Sequence, residues 1–125
     1  MKTLSNVEWV IMSALWEKPN QTISGILQTI GEELGWKYNT YVTYIKRMCE
    51  KGLIAYEQQG RDKFYYPAVQ KSECIDAERK SLSSKLDEAS TKEFLIAMIK
   101  QSALSKKDWA ELGELLEQLS NEGDD

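Results

Sequence analysis

The 125-residue chain is predicted to be mainly α-helical with one small β-hairpin. Three observations predict this. Three short helical patterns follow one another before residue 52, separated by tight breaks. Two β-prone runs then flank a glycine turn. From Ser72 onward only helical patterns occur, each with an apolar stripe. Three helices followed by a hairpin make a winged helix-turn-helix unit, because two strands alone are not stable and must lie against the helices. The expected organisation is a winged-helix domain over residues 1–71 and a helical dimerisation region over residues 72–125, with a frayed acidic tail at Asn121–Asp125.

The first helix is expected at about 6–17. Ser5 and Glu8 form a capping-box pattern, and Val7, Ile11, Ala14 and Leu15 give a helical apolar stripe. Lys18-Pro19-Asn20-Gln21 breaks it. Thr22 is placed to cap a second helix carrying Ile23, Ile26, Leu27, Ile30 and Leu34, ending near Gly35. The third begins at Asn39 or Thr40 and ends at Lys51-Gly52, a typical C-terminal signal. Tyr41, Ile45 and Met48 form its buried face. Its other face carries Thr40, Thr43, Lys46, Arg47 and Glu50, mostly hydroxyls and cations. Such groups hydrogen-bond phosphates and base edges, which makes this a candidate recognition helix. The plainer alternative is an amphipathic helix with a solvated face.

Leu53–Gln58 and Lys63–Tyr66 are the expected strands, with Arg61 and Lys63 at the turn available to phosphates or a minor groove. Beyond the boundary, one helix is expected from Ser72 to about Asp87. A second is capped by Ser90 or Thr91, with Phe94, Leu95 and Met98 on one side. A third starts at Ser105, with Trp109, Leu112, Leu115, Leu116 and Leu119 in its stripe. These helices are too short for a core of their own, so the same segment of a second chain is the simplest partner, in a twofold homodimer.

The net charge of −4 divides unevenly. Residues 1–71 hold nine Lys/Arg and seven Asp/Glu, whereas residues 72–125 hold seven and thirteen, so the first part is +2 and the second −6. A local basic surface is what a phosphate backbone responds to. The chain has no histidine, the commonest general base and metal ligand. No phosphate loop or ligand cluster is present, so neither an enzyme nor a cofactor or metal is expected. Cys49 and Cys74 read as reduced thiols. No apolar run reaches membrane length and the N-terminus lacks a signal-peptide core, so a cytoplasmic protein is expected. A winged-helix interaction module that does not bind DNA is the alternative function, motivated by the acidic half and by Tyr41, Tyr44 and Tyr56.

Glu8–Trp16 is similar to the pattern E-x-x-V-M-x-x-L-W. Trp36, Thr40, Thr43, Arg47, Met48 and Lys51-Gly52-Leu53 are similar to W-S-P-x-T-V-x-T-L-x-x-R-L-x-x-K-G-L. Gly60-Arg61 with Tyr65-Tyr66-Pro67 resembles a wing, and Leu104-Ser105 the start of a final helix. Together these resemble the penicillinase-repressor family (BlaI/MecI/CopY) of bacterial transcription repressors. The resemblance implies a homodimer that represses by binding inverted repeats in double-stranded operator DNA. It implies DNA contacts from Asn39, Thr40, Val42, Thr43, Lys46 and Arg47, and from Arg61 at the wing. Asn39 stands where relatives are often basic, and Val42 where some have arginine. The resemblance also implies a further partner, a membrane metalloprotease sensor in the same operon. The family's Asn-Phe cleavage bond is replaced here by Ala97-Met98. The cysteine-rich metal motif of copper-responsive members is absent from the tail.

Overall fold

The computed structural model describes residues 1–123, so Asp124 and Asp125 of the expected frayed tail lie outside the described residues. The chain divides into two compact units, Met1–Lys85 and Leu86 onward.

In the first unit, α1 spans Asn6–Glu17. Ser5 and Glu8 form the expected capping box: the Ser5 amide donates to Glu8 Oε1 at 2.9 Å and the Glu8 amide donates to Ser5 Oγ at 3.2 Å. Helix α2 spans Ile23–Ile30, with the Thr22 hydroxyl accepting the Gly25 amide at 3.1 Å. It stops well short of Gly35. Gly31 adopts φ 67°, a left-handed conformation that ends the helix and leaves Leu34 in the following turn.

Helix α3 spans Tyr38–Glu50. It starts before the expected Asn39 or Thr40 cap; Lys37 occupies the cap position without a side-chain bond. Its C-terminus closes as a Schellman motif. The Gly52 amide donates to Cys49 O and the Leu53 amide to Met48 O, both at 3.0 Å, with Gly52 at φ 79°. Leu53 and Met48 join the same core cluster, so the chain turns from helix into strand while both ends of the turn stay buried.

Strands β1 (Ile54–Gln59) and β2 (Asp62–Pro67) pair antiparallel, with Tyr56 opposite Tyr65 and Gln59 opposite Asp62. The other edge of β2 is also engaged. Between α1 and α2, the Gln21 amide donates to Tyr65 O at 3.1 Å and the Tyr65 amide to Gln21 O at 2.8 Å. This bridge ties the wing to the helix-turn-helix.

The unit continues past Lys71. Helix α4 spans Lys71–Ser83, and its Cys74 and Ala77 are buried. Cys74 belongs to a core cluster with Leu4, Ile11, Met12, Leu15, Ile26, Ile45, Met48, Leu53, Ile54 and Tyr65. Trp16 Nε1 donates to Val69 O at 3.0 Å, and Trp9 Nε1 to Glu78 Oε1 at 3.2 Å. Helix α4 therefore packs on the winged helix. The two tryptophans supply the reason: α1 is apolar on more than one side, and α4 covers the second.

In the second unit, α5 spans Glu88–Gln101 and α6 spans Lys106–Glu122. Asp87 caps α5, accepting the Ser90 amide at 2.7 Å, in place of the expected Ser90 or Thr91. Ser105 and Asp108 cap α6 as expected. The helix runs through Asn121 and Glu122, which were expected to fray. Neither helix buries a residue.

Candidate nucleic-acid interface

Helix α3 is amphipathic in the sense that the apolar spacing requires. Tyr41, Ile45 and Met48 are buried, while Asn39, Thr40, Thr43, Lys46, Arg47 and Glu50 are exposed. Val42, the remaining residue expected to meet DNA, is half-buried at the margin of this face. The thirteen residues extend about 20 Å, enough to lie along a major groove about 12 Å wide. Thr43 has a constrained role. Its hydroxyl donates to Asn39 O at 3.1 Å, so it offers lone pairs and a methyl group to a base edge rather than a free proton.

Behind the helix, Trp36 lies edge-on to Tyr41, with ring centroids 5.4 Å apart, and tilts over Tyr44 at 4.9 Å. Tyr41 is 1% exposed and Tyr44 half-buried, so neither forms the exposed aromatic surface anticipated from the sequence. Only Tyr56 of that trio is exposed. The Tyr41 hydroxyl is buried without a hydrogen-bond partner, and burial pushes its phenol up from the usual value.

The wing presents Arg61 and Lys63, both exposed. Lys63 Nζ sits 4.6 Å from the centroid of the Tyr56 ring. Cations therefore border the interface from α3 and from the hairpin turn. Among the described residues, no group of three or more His, Cys, Asp or Glu is arranged to hold a metal ion. Cys49 is half-buried and Cys74 buried; both are free thiols, and burial raises both. No helix of the described residues is long and apolar enough to cross a membrane.

The family model for the penicillinase repressor matches residues 4–118. The chain belongs to the penicillinase repressor family. It is 24% identical over 113 residues to the methicillin resistance regulatory protein MecI of Mammaliicoccus sciuri, covering 90% of this chain and 92% of that protein. It is 20% identical over 118 residues to the penicillinase repressor of Bacillus licheniformis, covering 94% and 92%. The structure of Staphylococcus aureus MarR in complex with salicylate and kanamycin matches with a TM-score of 0.52 and 15% identity, over 94% of this chain and 71% of that one. That likeness concerns the fold alone. Family membership makes the chain a DNA-binding transcriptional repressor, not an enzyme.

Two features of this penicillinase-repressor chain are not legible from its motifs. Glu8, 5% exposed, does more than cap α1. Its Oε2 accepts Lys51 Nζ at 2.9 Å, joining the start of α1 to the C-terminal cap of α3. Burial opposes ionisation of Glu8, but the Ser5 amide and the Lys51 ammonium outweigh it, and the carboxyl lies below its usual value. Gln21 is the second. Its side-chain amide donates to Ala14 O at 3.2 Å and to Lys18 O, while its Oε1 accepts the Thr29 hydroxyl at 2.8 Å. One residue thus closes the α1 C-terminus, holds α2 and bridges to the wing. A buried glutamine beside Pro19-Asn20 gave no periodic signal, so only its three-dimensional partners reveal it.

The residues expected to form a dimer interface lie on α5 and α6. Leu95, Met98, Trp109, Leu115, Leu116 and Leu119 are exposed, Phe94 and Leu112 half-buried.

Proposed function

We propose that the chain represses transcription in the cytoplasm as a homodimer, reading an inverted-repeat operator with α3 of each subunit in the major groove. The exposed face of α3 carries this reading: an amide, two hydroxyls and two cations opposite a fully packed apolar face. In it, Lys46, Arg47, Arg61 and Lys63 contact phosphates, and Asn39, Thr40, Val42 and Thr43 meet base edges. Val42 can touch a thymine methyl but cannot pair with guanine. A preference for A·T at that position is the consequence.

Helices α5 and α6 support the dimer. Leu116 and Leu119 are each 53% exposed, and apolar stripes of this density call for a cover. A second copy brings two recognition helices onto half-sites about one helical turn apart. A membrane metalloprotease sensor in the same operon belongs to the same reading as the partner that relieves repression. Ala97 and Met98, aligned with the family's cleavage bond, are exposed on α5, and a sensor gene beside this one would support that partner. The alternative of an interaction module without DNA loses Tyr41 and Tyr44 from its proposed surface.

The test is a mobility shift with DNA upstream of the chain's own gene, titrated with salt. Affinity should fall steeply as salt rises, because phosphate contacts release counterions. A shift that is indifferent to salt would remove the phosphate contacts from the account.

A further inference from the structure

The helix-turn-helix and the wing line a cleft in the first unit. It is lined by Thr22 and Ser24 at the start of α2, Tyr38 at the start of α3, and Arg61, Asp62 and Lys63 at the wing turn. These residues come from three separate stretches of chain, and the Gln21–Tyr65 bridge ties the start of α2 to the wing. Ser24 and Arg61 are exposed, and Tyr38 is 49% exposed. Among the described residues, the ion pairs are Glu8–Lys51, Asp76–Arg79 and Asp76–Lys80, so Arg61 and Lys63 are in none. Neither the Ser24 nor the Tyr38 hydroxyl takes part in the described side-chain hydrogen bonds, which at this end of α2 consist of Thr22 accepting the Gly25 amide.

The cleft therefore gathers two hydroxyls, a guanidinium and an ammonium, the last resting over the Tyr56 ring, against the single carboxylate of Asp62. That donor set suits a tetrahedral oxyanion: charge-assisted hydrogen bonds are the strong ones, and several must converge from different directions to fix such a group. The positive end of α2 adds to the same field. We propose that this cleft seats one backbone phosphate of the operator, beside the groove that α3 enters. Ser24 and Tyr38 donate from the helices while Arg61 and Lys63 close over the phosphate from the wing. The inference rests on the DNA-binding reading and adds two neutral contacts, Ser24 and Tyr38, that no sequence pattern marks. Its function is registration: α2, α3 and the wing are anchored to one phosphate, and the base-reading side chains of α3 are placed relative to it.

The experiment uses the full chain and fluorescence anisotropy with the duplex upstream of its own gene. A series of duplexes carries a single neutral methylphosphonate at successive positions. The wild type should lose affinity about tenfold at one position per half-site, the loss of hydrogen bonds to a charged group. The Ser24→Ala/Tyr38→Phe double variant should be weakened several-fold on the unmodified duplex and lose less than the wild type on substitution at that position, because only Arg61 and Lys63 still contact it. It should weaken equally on a random-sequence duplex, since a phosphate contact carries no sequence information. Both side chains are at the surface, and an unchanged thermal midpoint checks the fold. A double variant that binds as tightly as the wild type, or keeps every methylphosphonate sensitivity, overturns this inference and leaves DNA binding standing. A wild type that binds neither duplex overturns both. Inorganic phosphate that competes at fixed ionic strength, with no sensitive methylphosphonate position, would assign the cleft to a free anion and overturn the proposal.

Discussion

Replacing Lys51 with methionine isolates the joint between α1 and the recognition helix. The substitution keeps most of the side chain's volume and removes the ammonium 2.9 Å from Glu8 Oε2. Glu8 then retains the Ser5 amide as its charged-form partner while its side chain is 6% exposed. Breaking an enclosed ion pair costs about 3–5 kcal/mol because the remaining charge is left unpaired. The Lys51 side chain is 62% exposed, so water replaces part of what is lost. A cost of about 1–2 kcal/mol is expected once that screening is counted. For a unit of this size it lowers the melting temperature by about 5–10 °C. The pH dependence supplies a second reading. The folded-state value of Glu8 lies below its ordinary 4.5, so the stabilisation is present above about pH 4.5 and is lost as pH falls through the lowered value. Urea unfolding of both proteins at falling pH should show the gap between them closing. A gap that stays constant through the acid range, or no gap at neutral pH, would refute the charge pairing and leave Lys51 as packing alone.

Tyr41→Phe should leave stability unchanged or raise it by up to about 1 kcal/mol, because it deletes a buried hydroxyl that has no partner; a clear loss in urea unfolding would reveal a bond to that oxygen. Thr43→Ala should cost about 1–3 kcal/mol on the operator and little on random DNA, narrowing the ratio between the two, whereas equal losses on both would make Thr43 a backbone contact. Leu116→Asp should shift the chain from dimer to monomer in light scattering while α1–α4 keep their fold, since Leu116 is exposed in the single chain; a dimer that persists would place the interface elsewhere.

Local signals in the sequence located what they encode directly. The Ser5/Glu8 and Ser105/Asp108 boxes begin helices where they stand, because each rests on hydrogen bonds three residues apart. The buried stripe of α3 followed from spacing alone. Local signals mislead where distant contacts decide. Leu34 continued the apolar pattern of α2, but Gly31 had already turned the chain, and Leu34 packs on the core from a turn instead. Helix α4 carries a polar sequence with small apolar residues, Cys74 and Ala77, and nothing local says that they are buried beside α1. Tyr41 fits both a buried stripe and an exposed aromatic surface by sequence alone; Trp36, five residues earlier in the chain, closes over it and decides for the first. In the interface, residue types on α3 and at the wing were legible as chemistry. The ties that hold them in place, Glu8 to Lys51 and Gln21 to Tyr65, span 43 residues or more and were not.

That α3 enters the major groove of a symmetric operator is tested most directly by footprinting the full chain on the DNA upstream of its own gene, with base-methylation interference read on both strands. The expected result is two protected half-sites in inverted orientation, about one helical turn or a multiple of it apart. Interference should appear at major-groove purine positions inside each half-site, and Thr43→Ala should weaken it at one position. Protection confined to the minor groove, a single unpaired half-site, or no footprint under low-salt conditions would contradict it.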